Sequence, residues 1–101
     1  MRTKDSRGRD MKHTSVFEQG DMQVLRYHST NVMSVTDTTV ILDSGGWQTA
    51  TTKRRLEQGA EIFGLKLSVY QKDRKWWVRL ADGSTIPFKD GMKIRREEVT
   101  A

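Results

Sequence analysis

Ser44-Gly45-Gly46-Trp47-Gln48-Thr49-Ala50-Thr51-Thr52-Lys53-Arg54-Arg55-Leu56-Glu57-Gln58 is where the chain changes periodicity. Before it, apolar residues come in short β-branched runs, the last being Thr39-Val40-Ile41-Leu42. After it, Leu56, Ala60 and Phe63 stand at i, i+4 and i+7 with Ile62 beside them, which is one apolar face of a helix. Two glycines stop the strand, and the hydroxyl of Thr49 or Thr51 can accept from an orphan N–H of the first helical turn. Gly64 falls where a left-handed residue ends a helix, and Leu65 can fold back onto the last turn. Gly59 lies inside the helical pattern, where it costs about 1 kcal/mol relative to Ala, so a close approach of helix to sheet is its expected reason.

Upstream, Met22 to His28 alternates as a strand, and Val32–Val35 with Thr39–Leu42 flank the polar turn Thr36-Asp37-Thr38 as a hairpin. Downstream, Leu65, Leu67 and Val69 alternate with Lys66, Ser68 and Tyr70. Trp76, Val78 and Leu80 alternate with Trp77 and Arg79. Gln71 to Lys75 reads as the loop of this second hairpin. Thr85-Ile86-Pro87-Phe88 reads as an edge strand, Met92-Lys93-Ile94 as a last short one, and Val99 to Ala101 as tail. The order strand, hairpin, helix, hairpin, strand gives an α+β fold, one antiparallel sheet of about five strands with a single helix packed on one face. Residues 1–15 have few apolar positions and read as a flexible basic arm, leaving 16–101 as a single α+β domain.

The net charge is +5 over 101 residues and is unevenly placed. Residues 16–50 carry Arg26 against Glu18, Asp21, Asp37 and Asp43, whereas Lys53 to Arg96 holds twelve cations against five acids. That asymmetry favours a polyanionic partner, nucleic acid first. The chain has no cysteine, which excludes disulfides and cysteine-based zinc or nucleophile chemistry. No apolar run is long enough to span a bilayer and the first residues lack an apolar signal region, so a cytoplasmic protein without membrane partners is expected.

Two constellations could bind. The first is the helix start, where Thr49, Thr51 and Thr52 precede Lys53, Arg54 and Arg55. Helices usually place acids there, because the dipole is positive at that end. Free N–H groups, hydroxyls and cations behind a Gly-Gly turn suit a phosphate or carboxylate, although the spacing is not that of a Walker loop. The simpler alternative is that the threonines are caps and the cations a solvated face, with Lys53 pairing with Glu57. The second constellation is the aromatic hairpin. Strand alternation sends Trp76 to the core and puts Trp77, Arg79, Tyr70 and Lys66 on one outer face, a surface suited to stacking unpaired bases or to a protein interface. The alternative is that Val16 and Phe17 cover Trp77. Catalysis has less support: His13 lies in the arm, His28 has no local partner, and Asp37, Asp43, Asp82 and Asp90 are turn residues. No metal or cofactor is expected.

The segments Tyr27-His28-Ser29-Thr30, Ser44 to Arg55, Val69-Tyr70-Gln71-Lys72, Trp76-Trp77-Val78 and Pro87-Phe88-Lys89-Asp90-Gly91-Met92 together resemble a family of small bacteriophage and prophage proteins. The family shares a Gly-Gly-Trp-x-Thr-x-Thr-Thr-Lys-x-Arg segment and a Phe-x-Asp-Gly ending, and the resemblance covers Tyr27 to Met92. It implies a phage origin without an assigned activity, and no binding role passes to Glu57, which departs from the pattern. The expectation is a non-catalytic protein of the infected bacterial cytoplasm that engages nucleic acid or a nucleoprotein complex. Lys53, Arg54, Arg55, Trp77, Arg79, Tyr70 and Lys66 would make contact, with Trp47 and Thr51 shaping the site. The alternative is a direct inhibitor of a host or defence protein, as anti-CRISPR proteins are. A small metal-dependent nuclease is a distant third, and self-association is left open.

Overall fold

The computed structural model describes residues 3–4, 10–11, 13–46 and 48–100. Most of the stretch read as a basic arm, and Trp47, lie outside the described residues. In the described part of that stretch, β1 (Thr3–Lys4) pairs antiparallel with β2 (Asp10–Met11), and Thr14 already opens a strand of the main sheet.

The main sheet has five antiparallel strands in the order β10-β6-β5-β4-β3, formed by β3 (Thr14–Gln19), β4 (Met22–Tyr27), β5 (Thr30–Val35), β6 (Thr39–Leu42) and β10 (Met92–Arg95). One helix, α1 (Ala50–Ile62), packs on it, so the fold is α+β as the periodicity implies. The β5–β6 turn needs no glycine because the Thr36 hydroxyl accepts from the amides of Thr38 and Thr39 at 3.2 and 3.0 Å.

The strands after the helix divide differently from a single continuous sheet. β7 (Ser68–Lys72), β8 (Lys75–Arg79) and β9 (Thr85–Pro87) form their own three-stranded sheet, while β10 crosses back to pair with β6. Alternation specifies which face a residue takes and leaves the pairing partner open. The short helix η1 (Arg96–Val99) then links the two sheets: Arg96 bonds back to Thr36 and Thr38, and the carbonyls of Val99 and Glu98 accept from Lys66 and Ala81. Val99, which reads as tail, is therefore fully buried.

Helix and sheets enclose one core, with Leu25, Met33, Leu42, Leu56, Val69 and Val78 at or near zero exposure. The helix termini are set by the residues expected to set them. Thr49 is the N-cap, its hydroxyl accepting from the Thr52 amide at 3.2 Å. At the other end Leu65 and Gly64 (φ +68°) donate to the carbonyls of Ala60 and Glu61, the paired bonds of a Schellman motif. Gly59 has its expected reason as well: a Cβ there would sit 2.8 Å from Leu25 Cδ2 and 3.1 Å from Met33 Sδ.

Candidate nucleic-acid interface

The loop before the helix is held from a distance. Asp90 accepts from both the amide and the hydroxyl of Ser44, while Gly91 donates to the Leu42 carbonyl. Gly45 (φ +65°) lies against the Thr30 side chain, which a Cβ would strike. The Gly-Gly turn and the Asp-Gly turn, far apart in sequence, are one structural unit.

Helical geometry splays the three cations that follow. About 100° separates successive residues, so the three side chains leave the helix in different directions. Lys53 Nζ stands 5.7 Å from the centre of the Trp76 ring, towards the second sheet. Arg54 and Thr51 are exposed. Arg55 turns the other way, its guanidinium 5.4 Å from the Tyr27 ring and donating to Gln58 at 2.7 Å, with its Nε buried and unpartnered. Lys53 makes no ion pair with Glu57 among the described residues. A cleft of about 420 Å³ between Tyr27, His28, Thr30, Ser44 and Thr52 borders the helix start, but Thr49 already occupies the Thr52 amide.

The second sheet brings its predicted residues together. Val69, Trp76 and Val78 point inward, Trp76 meeting Phe88 edge-on at 5.4 Å, which leaves the alternate residues outside. Register then lines up Tyr70, Trp77 and Pro87 as a row of three rings straight across the sheet. Ser68, Arg79 and Thr85 form the row on one side of it, and Lys72 with Lys75 the row on the other. Lys66 extends the cationic side just before β7, and no carboxylate occurs among these outward positions. Arg79 lies 5.2 Å from the Tyr70 ring centre, and the Trp77 indole is fixed by donating to the Lys72 carbonyl at 3.3 Å. Trp77 remains partly exposed. Phe17 belongs to β3 of the main sheet, where Arg26 stacks on it at 4.7 Å.

Sequence reading missed the hairpin tip. Lys72 pairs with Lys75 directly, so Asp73 and Arg74 are a two-residue turn with φ of +55° and +64°, a primed geometry that usually calls for glycine. Nothing in the residue types announces it. Beyond the Lys72–Lys75 row the tip adds one cation, Arg74, and one acid, Asp73, both exposed.

Among the described residues no group of three or more His, Asp or Glu could hold a metal ion. Asp82 has its carboxyl held below the usual range by the Ser84 hydroxyl and amide, which is a turn bond at a fully exposed site. No helix among the described residues is long and apolar enough to cross a membrane.

A family model described as Kyanoviridae Gp96 protein matches residues 2–95, and the chain belongs to that family of phage-encoded proteins. The description names no activity. No curated protein and no solved structure matches the chain.

Proposed function

We propose that this protein is a non-catalytic nucleic-acid-binding protein of the infected bacterial cytoplasm, acting through the outer face of the β7–β9 sheet, with Lys53 beside the inward-facing Trp76 as a further cation. The observation that carries the reading is the row Tyr70-Trp77-Pro87, flanked by Lys72 and Lys75 on one side and Arg79 on the other, with no acid among the outward strand positions and Asp73 the one acid of the hairpin tip. Cations there would neutralise phosphates and release counterions, and the rings would take bases. Arg54 and Thr51, exposed on the first helical turn, would add weaker contacts.

Fluorescence anisotropy with labelled single-stranded and duplex oligonucleotides tests this. Binding should weaken log-linearly with salt. Changing Lys72, Lys75 and Arg79 to Gln should flatten the slope by about 0.7 to 0.9 for every phosphate those cations neutralise. Failure of both strand forms to bind at low salt, or an unchanged slope in that variant, removes the reading.

The residue types on this face, Tyr, Trp and Arg, also anchor protein interfaces, which supports a second reading, direct binding to a host or defence nucleoprotein complex. Capture of a defined complex from nuclease-treated lysate that depends on Trp77 would favour it.

A further inference from the structure

The outer face ends in a notch. Past Pro87 the chain keeps one more bond to β8, Phe88 donating to the Trp76 carbonyl at 3.0 Å, and beside it lies a cleft of about 300 Å³ walled by Trp76, Trp77, Pro87 and Phe88 and rimmed by Arg74, Lys75 and Gln48. That volume is at the lower limit of clefts that hold small organic groups and is enough for one planar ring system. Resting on the nucleic-acid reading above, the geometry points to a single-stranded ligand that places one unpaired base in this notch.

Each wall has a part in this. Trp77 offers a ring held in place by its bond to the Lys72 carbonyl, so little freedom is lost when a base stacks on it. Pro87, the cross-strand neighbour of Trp77 on the same face, extends that apolar surface. Gln48 carries both a donor and an acceptor to meet a base edge. Arg74 and Lys75 stand at the mouth, where the flanking phosphates would run, and Lys53 Nζ lies 5.7 Å from the centre of the Trp76 ring.

The tip is also locally unfavourable in the free protein. Lys72 and Lys75 are like charges directly opposite each other, and Arg74 holds a left-handed conformation without being glycine. The repulsion between the lysines falls when a phosphate lies between them. A duplex would satisfy the cations and leave the notch empty, since its bases are paired and stacked.

The test compares, at one salt concentration, single-stranded DNA, single-stranded RNA, a duplex of equal length and a single strand of abasic sites. Single strands should bind at least about fivefold more tightly than the duplex and the abasic strand, and should quench tryptophan emission. Trp77→Leu should lose at least about fivefold for single strands only, with Trp77→Phe retaining most of the affinity as the control for folding. Equal affinity for the abasic strand or the duplex, or a Trp77→Leu loss below that threshold, overturns the inference and leaves the electrostatic reading standing. No binding to any of the four removes both. The ratio between the DNA and RNA arms says which strand is preferred.

Discussion

Asp90 Oδ1 accepts both the amide and the hydroxyl of Ser44, at 2.8 and 2.6 Å, across 46 residues of sequence. The bond pair ties the turn before β10 to the loop that feeds α1. Asp90 is exposed to solvent as a residue, yet its partner Ser44 is buried, so removing the carboxylate strands two donors at once. Asp90→Ala should therefore cost about 1–3 kcal/mol in chemical denaturation, and Ser44→Ala less, since the amide keeps its acceptor. Ser44→Ala also removes the 3.3 Å bond from the Gly46 amide to the Ser44 hydroxyl, so equal losses for the two would show that this bond matches the Ser44 amide bond to Asp90.

Gly59→Ala sets two effects of known size against each other. Helix propensity favours Ala by about 1 kcal/mol, while overpacking a filled core costs about 1–3 kcal/mol. The added Cβ would meet Leu25 Cδ2 at 2.8 Å, and Leu25 is fully buried with little room to turn. Net destabilisation is expected. Leu25→Val removes the offending methyl, so the double variant should be more stable than the sum of the single losses predicts. Strict additivity in that cycle would place the close contact elsewhere.

Much of this was legible in the sequence because local patterns decide it. Thr49 and Gly64 bound the helix as their side chains and backbone freedom dictate, and the β-branched run Thr39–Leu42 can do little else than form a strand. What escaped reading is what pairing decides. β3 is an edge strand with exposed Val16 and polar neighbours, so it carries almost no alternation. Leu65 and Leu67 extend the alternation of β7 while making no ladder, being buried as the chain crosses from helix to sheet. The site was partly legible for the same reason. Alternation put Trp77, Tyr70 and Arg79 on one face, but only the register aligns Pro87 with them, and only helical geometry separates Lys53 from Arg55.

Arg74→Gly should separate stability from binding. Glycine adopts the left-handed conformation of this turn without the steric cost of a side chain, so the variant should gain about 1 kcal/mol in denaturation. It also removes a cation from the mouth of the notch, and single-strand affinity should fall with a flatter salt slope. A variant that is more stable and binds as well as the parent would leave Arg74 with no part in the interface.

Lys53 and Arg55 are two residues apart and should respond oppositely to substitution by Met, which keeps much of the apolar stem of each. Lys53 stands beside the second sheet, 5.7 Å from the Trp76 ring, so Lys53→Met should weaken nucleic-acid binding and leave stability within about 0.5 kcal/mol. Arg55 faces Tyr27, carries a buried Nε with no acceptor, and lies away from the ring row. Arg55→Met removes that unpaired donor and also the 2.7 Å bond to Gln58, two effects of opposite sign, so stability should stay within about 1 kcal/mol and affinity should stay as it was. Anisotropy and denaturation on the two variants give four values. If Arg55→Met weakens binding as much as Lys53→Met, the whole first turn of the helix contacts the nucleic acid, and the interface extends past the sheet face to the Tyr27 side.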